Sequence, residues 1–159
     1  MSIISHSEKN TLKIAEELAP LFMKGDVILL EGGLATGKTY FVKGFSNYFK
    51  NKEVVTSPTF SIANFYSCES VTLLHMDLYR ISTIEEFEDL GIEEYFSDAI
   101  VLIEWGEKLF QYLDEYFLVS FECDENNREY RSLSFSFKGE RVKSKMDLLY
   151  NKLSKFRVC

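Results

Sequence analysis

The sequence predicts an α/β protein: a three-layer fold with a mostly parallel sheet and antiparallel strands added to it. Three observations predict it. An apolar run, residues 27–30, leads into Gly32-Gly33-Leu34-Ala35-Thr36-Gly37-Lys38-Thr39, and a helix-forming stretch follows. Two further apolar runs, 71–76 and 99–103, each end in an acid, Asp77 and Glu104. The back of the chain alternates apolar and polar over 116–123 and 129–137 around an Asp124-Glu125-Asn126-Asn127 turn, the pattern of an antiparallel pair. No repeat, linker or low-complexity tract divides the chain, so residues 1–159 are expected to form one domain.

The elements follow in order. Residues 7–23 carry Leu12, Ala15, Leu18, Ala19 and Phe22 at helical spacing, with Ser5 and Glu8 spaced as a capping box and Gly25 at the stop. A buried strand over 26–31 precedes the glycine loop, and a helix over 38–49 follows it, with Phe41, Phe45, Tyr48 and Phe49 as its apolar side. A short strand is expected at Val54 and Val55. Pro58 then holds Ser57 extended in the Thr56-Ser57-Pro58-Thr59-Phe60 segment. Residues 60–66 and 71–76 read as two extended runs joined as a hairpin through Cys68-Glu69-Ser70. An acidic helix over 83–90 stops at Gly91, and a helical turn covers 92–96. Residues 105–112 read as helical. A closing helix begins near Glu140, with Val142, Met146, Leu149, Leu153 and Phe156 as one stripe for docking on a sheet.

Composition narrows the function classes. Hydrophobic residues make up 46% of the 159, which suits a packed core rather than disorder. The net charge of −7 makes a poor direct grip on nucleic acid, whose affinity comes from cations neutralising phosphates. Any RNA role is therefore expected to run through a partner. Cys68, Cys123 and Cys159 have no metal-like spacing and suggest reduced thiols in a cytoplasm. No apolar stretch is long enough to export or anchor the chain.

The glycine loop carries the chemistry. It matches G-x-x-x-x-G-K-[ST], the phosphate-binding loop (P-loop), and a chance match in a chain of this length has odds of roughly one in a hundred. Glycines at both ends let backbone N–H groups turn inward around a polyphosphate, and the helix beyond aims its positive end at the same anion. Lys38 would reach the outer phosphates, and the Thr39 hydroxyl would sit on Mg²⁺. Asp77 and Glu104 stand at the carboxyl ends of strands, where open parallel sheets bind ligands. One carboxylate can hold the metal and the other can orient the attacking water. The bland alternative is an acid that caps the next turn. Thr59 lies where P-loop switches place a hydroxyl that senses the terminal phosphate, or in a plain proline turn. His75 reads as a packed or hydrogen-bonded histidine rather than a base. Trp105 could be core, cover a nucleotide or face a partner. The acidic run Glu85, Glu86, Glu88 and Asp89 is a solvated face or a docking surface for a basic partner.

The chain resembles the bacterial TsaE family over about residues 12–131. The likeness rests on linked motifs: the loop as G-x-L-x-x-G-K-T, Ser57-Pro58-Thr59-Phe60, His75-Met76-Asp77-Leu78-Tyr79-Arg80, Glu88-Asp89-Leu90-Gly91-Ile92-Glu93-Glu94-Tyr95-Phe96 and Ile103-Glu104-Trp105. The resemblance implies a P-loop NTPase-like fold, Mg-ATP binding and slow, partner-stimulated hydrolysis. It also implies assembly with the TsaB and TsaD proteins, which install threonylcarbamoyladenosine on tRNA; tRNA would be met only indirectly. It assigns Gly32, Gly33, Leu34, Ala35, Thr36, Gly37, Lys38 and Thr39 to the nucleotide, and Thr39 and Glu104 to the metal. Lys38, Asp77 and Glu104 become the catalytic set, Glu107 and Arg128 weaker nucleotide contacts, and Thr59 and Trp105 switch or partner-facing residues. This chain departs from the family's usual G-D-L-G-A-G-K-T, with Gly33 for aspartate and Ala35-Thr36 for Gly-Ala, and it has Gly106 where proline is usual.

Three other readings are weighed. A nucleotide-gated binding module would use ATP to fasten a complex, with hydrolysis incidental. A small-molecule kinase would need an arginine-bearing lid, whereas the five arginines, at 80, 128, 131, 141 and 157, are scattered. A GTPase would need Asn-Lys-x-Asp, but Asn51-Lys52-Glu53-Val54 and Asn151-Lys152-Leu153-Ser154 lack the aspartate.

Overall fold

The computed structural model describes residues 1–124, 127 and 130–156. Its strands are β1 (Ser2–Ser5), β2 (Val27–Glu31), β3 (Ala63–Ser67), β4 (Thr72–Asp77), β5 (Ala99–Glu104), β6 (Tyr116–Cys123) and β7 (Arg131–Lys138). The helices are α1 (Glu8–Leu18), α2 (Lys38–Tyr48), α3 (Ile84–Asp89), α4 (Glu140–Lys143) and α5 (Met146–Leu153). The strands form one sheet in the order β1-β7-β6-β2-β5-β4-β3. Strands β6, β2, β5 and β4 are mutually parallel, while β7, β1 and β3 join antiparallel at the two sides. The predicted α/β class holds.

Alternation along the strands sorts the core into two layers. Ile28 and Leu30 of β2, with Ile100 and Leu102 of β5, pack among Ile14, Phe41, Phe45 and Leu149 of the helices on one face. Val27, Leu29, Val101 and Ile103 pack with Phe87 of α3 and Ile92 on the other. Strand β2 lies between two parallel neighbours and buries Ile28 and Leu30 in one core layer and Val27 and Leu29 in the other, so its sequence reads as unbroken Val-Ile-Leu-Leu. The same alternation turns Glu104 toward the α2 face, along with Leu102 two residues earlier. No helix among the described residues is long and apolar enough to cross a membrane.

Helices α1 and α2 approach closely at Gly44. A Cβ built there would lie 2.2 Å from the Leu12 carbonyl oxygen. Backbone cannot yield as a side-chain tip can, so Gly44→Ala is expected to cost about 3 kcal/mol through overpacking. A urea denaturation midpoint unchanged from the parent would contradict this.

Several expectations are corrected. The N-terminal strand β1 was not foreseen; four residues are too few for periodicity to show, and β1 exists through pairing with β7. Ser5 does not cap α1. Its hydroxyl meets Thr11 Oγ1 at 2.8 Å, while Ser7 is the cap and accepts the Asn10 N–H at 3.1 Å. The helix stops before residue 23 because Pro20 lies in a 3₁₀ turn, Ala19–Leu21. Val54 and Val55 form no strand: Val55 is buried, but Val54 is 80% exposed in a loop that runs to β3. The pair strand predicted from Glu129 starts at Arg131, and Glu129 itself lies outside the described residues. The closing helix breaks at Ser144-Lys145, where Lys145 swings to the buried carboxylate of Asp26, which also pairs with Arg141 at 3.2 Å.

Candidate functional site

The site lies at the carboxyl ends of the parallel strands. Residues 32–37 connect β2 to α2. Two glycines are required by the geometry of this loop. Gly32 has φ +142° and a Cβ there would meet the Phe121 carbonyl oxygen at 2.6 Å. Gly37, the residue before α2, has φ +106° and a Cβ would meet Arg131 Nη1 at 2.6 Å. Gly33 is different: a Cβ would touch only Thr36 Cγ2, at 3.9 Å, so the aspartate usual in the resembling family would fit.

Ala35 has φ +59°, a left-handed conformation that costs an L side chain about 1–2 kcal/mol. Ala35→Gly is therefore expected to raise stability by up to about 1 kcal/mol, after subtracting glycine's greater freedom in the unfolded chain. Chemical denaturation of the two proteins measures this, and a loss of stability would contradict it. Thr36 supports the strained turn by donating its hydroxyl to the Gly33 carbonyl at 3.0 Å.

Lys38 opens α2 with its side chain folded back into the loop. Its Nζ donates to the carbonyls of Gly32 and Gly33, each at 2.6 Å, and lies 4.5 Å from the Trp105 ring centroid. Burial pushes its pKa below the ordinary lysine range, with Glu104, Glu107 and Asp77 opposing that shift. Beside it opens a cavity of about 190 Å³ lined by Thr36, Gly37, Thr39, Tyr40, Glu104 and Arg131 among others.

Thr39, Glu104 and His75 form one hydrogen-bonded chain. Thr39 Oγ1 donates to Glu104 Oε1 at 2.8 Å, and His75 Nε2 stands 2.9 Å from the same oxygen. An ionised carboxylate only accepts, so His75 donates from Nε2. His75 is fully buried, and its Nδ1 has no hydrogen-bond partner. The histidine thus holds Glu104 in place through this hydrogen bond.

Asp77 lies directly beside Glu104 in the β4–β5 register, and both are buried. Its Oδ2 accepts from the hydroxyls of Ser57 and Thr59, each at 2.8 Å, and its Oδ1 accepts the Tyr79 N–H at 2.9 Å. The Ser-Pro-Thr segment is therefore tied to the strand-end carboxylate. Trp105 is half-buried with φ +59° and packs on Tyr79 with ring centroids 5.2 Å apart. Glu107 does not line the cavity beside Lys38. Burial raises its pKa, and its Oε2 is buried with no hydrogen-bond partner. Arg128 lies outside the described residues.

Arg131, which the sequence singles out only as one of five scattered arginines, lines the cavity. It begins β7, is buried and packs on Gly37. A second cavity of about 310 Å³ shares Arg131 and adds His6, Tyr130 and Cys123. The available signal was pairing: Arg131 stands opposite both Ser5 and Cys123 in the sheet register, which no single segment reveals.

The Thr39–Glu104 oxygens suit a hard cation. Mg²⁺ takes oxygen ligands, keeps several waters and is usually held by one or two protein groups plus phosphate. Both hydrogen bonds to Glu104 use Oε1, so its second oxygen remains for such a role.

A sheet with a parallel centre, a glycine loop at the end of its central strand and a lysine at the start of the next helix define the class: an α/β protein whose loop carries the P-loop sequence signature. Within that class the chain belongs to the TsaE family, whose model, described as threonylcarbamoyl adenosine biosynthesis protein TsaE, matches residues 5–133. It is 38% identical over 117 residues to the tRNA threonylcarbamoyladenosine biosynthesis protein TsaE of Treponema pallidum, covering 73% of this chain and 86% of that one. The TsaE of Rickettsia conorii is 34% identical over 143 residues, 89% of this chain and 82% of its own. That of Bacillus subtilis is 40% identical over 108 residues, 67% of each chain. Among solved structures, the crystal structure of Bacillus subtilis YdiB matches with a TM-score of 0.79 and 27% identity, over 95% of this chain and 94% of that one.

Proposed function

We propose that this protein is a Mg²⁺-dependent ATP-binding and ATP-hydrolysing subunit of tRNA threonylcarbamoyladenosine biosynthesis, acting with the TsaB and TsaD proteins. The observation that carries the reading is the Thr39–Glu104 hydrogen bond of 2.8 Å, next to a lysine folded into the glycine loop. Loop amides and Lys38 would hold the phosphates, and Thr39 and Glu104 would hold Mg²⁺. When bound, the metal neutralises charge that develops on the transferred phosphoryl group. Arg131 would stand at the phosphate end, and His6 and Tyr130, which share its second cavity, would offer an aromatic surface for the base. The acidic chain would meet tRNA only through its partners. The test is ATP turnover with Mg²⁺, with and without the two partner proteins. Stimulation by the pair supports the reading; neither nucleotide binding nor stimulation would defeat it.

One observation favours a second reading, the nucleotide-gated binding module. Asp77 already accepts three hydrogen bonds, two of them from the Ser57 and Thr59 hydroxyls, so here it ties down a loop. In that reading ATP binding would reposition the 57–59 segment and fasten the complex. Assembly would then survive Asp77→Ala and Glu104→Ala but not Lys38→Ala.

A further inference from the structure

A groove of about 410 Å³ opens at the far end of the sheet, lined by Phe65, Thr72, Leu90, Ile92, Tyr95 and Asp98 among others. Thr72 begins β4, whereas Asp77 ends it. At about 3.3 Å per strand residue, the groove lies roughly 16 Å from the phosphate site. Its walls are apolar and open to solvent: Phe65 is 44% exposed, Leu90 37% and Tyr95 47%. The Phe65 and Tyr95 rings meet edge to face with centroids 5.3 Å apart. Phe65 belongs to β3, the outermost strand on this side of the sheet.

Two exposed acids stand at the groove: Asp98 lines it, and Glu94 lies beside the Tyr95 hydroxyl. The segment between Arg80 and Lys108 supplies Leu90, Ile92, Tyr95, Asp98 and Ala99 to the groove, holds no cation, and also carries Glu85, Glu86, Glu88, Asp89, Glu93 and Glu94; Lys24 approaches from outside it, next to Gly25, whose N–H donates to the Ala99 carbonyl at 2.9 Å. None of these seven acids forms an ion pair among the described residues. Glu94 and Asp98 therefore add to the negative field of a chain already at −7. An isologous second copy would press these two acids against their counterparts, and nucleic acid or an anionic membrane would be repelled. An apolar floor with an acid border instead complements apolar anchors flanked by cations.

We propose that this groove docks a segment of a partner protein in which two or three aliphatic or aromatic side chains are flanked by lysines or arginines. The inference does not depend on nucleotide hydrolysis, because the groove shares no residue with the phosphate site. The test is a two-dimensional ¹⁵N–¹H NMR titration of the full chain with a fourteen-residue leucine/lysine amphipathic peptide. A leucine/glutamate peptide of the same pattern is the counter-probe.

The expected result is shifts centred on Phe65, Leu90, Ile92, Tyr95 and Asp98, weakening about tenfold as salt screens the rim. Leu90→Ser and the double variant Glu94→Gln with Asp98→Asn should each weaken binding several-fold. These positions are exposed, and unchanged thermal unfolding would verify that the variants fold. Equal binding of the acidic peptide, shifts confined to the phosphate loop, or no shifts at millimolar peptide would overturn the proposal. So would sedimentation showing a dimer that Leu90→Ser dissolves.

Discussion

Lys38→Ala is expected to lower ATP turnover a hundredfold or more, roughly the effect of removing one charge-stabilising donor from an active site, while the protein stays folded. The ammonium now donates to two loop carbonyls at 2.6 Å. A polyphosphate would offer it anionic oxygens instead, and such charge-assisted bonds are about twice as strong as neutral ones. Alanine offers no donor, and the glycine loop alone cannot neutralise the outer phosphate. Nucleotide affinity should fall at least tenfold with it. Trp105 supplies the readout: it is the single tryptophan and its ring lies 4.5 Å from Lys38 Nζ, so nucleotide entry should change its fluorescence. A variant that retained the parent's turnover would overturn the assignment of the loop.

Stability makes this experiment clean. Desolvation is the leading cause of the lowered Lys38 pKa, so folding disfavours the charged form. The sign follows from linkage: the stabilising contribution of a depressed lysine exists above its unfolded pKa and is lost as pH falls through the folded value. At neutral pH the ammonium is therefore a cost. Lys38→Met, which keeps the apolar stem, should show a denaturation midpoint equal to or above the parent's. A clear drop would mean that the three nearby carboxylates depend on Lys38 more than burial penalises it.

The site shows where single-segment reasoning reaches and where it stops. The loop, Asp77 and Glu104 were legible because each is local: a strand ends, and a polar residue follows at once. The need for glycine at 32 and 37, and the left-handed conformation of Ala35, follow from a loop that must turn its amides inward. Arg131 was not legible, because it reaches the loop only through the pairing of β7 with β6 and β1. The same holds for β1 itself and for Ser7 rather than Ser5 as the cap. Each is decided by a partner more than a hundred residues away or by a competing hydrogen bond. Val54 and Val55 failed for the complementary reason. Two β-branched residues have strand propensity, but a strand also needs a neighbour, and here the loop passes the sheet without one. Gly106 has a tight role of its own: a Cβ there would meet Leu29 Cβ at 2.6 Å, so the glycine lets the turn after Trp105 press on β2.

Glu104→Gln and Asp77→Asn should separate metal binding from loop control, because the two carboxylates are neighbours with different partners. Glu104 Oε1 receives Thr39 and His75, and a glutamine oxygen can accept both, so the fold should lose little. What disappears is the negative charge beside the Thr39 hydroxyl. The Mg²⁺ concentration needed for half-maximal turnover is expected to rise about tenfold or more, and saturated turnover to fall about a hundredfold. Asp77→Asn acts elsewhere. The asparagine oxygen can keep the Tyr79 N–H, but its amide NH₂ then faces the Ser57 and Thr59 hydroxyls, which must turn from donating to accepting and lose their charge-assisted bonds. The 57–59 segment should loosen, turnover should fall, and the Mg²⁺ requirement should stay near the parent's. Magnesium titrations of turnover on both variants measure this directly. Equal shifts in Mg²⁺ requirement would show that both acids hold the metal, and an unshifted Glu104→Gln would remove Glu104 from it altogether.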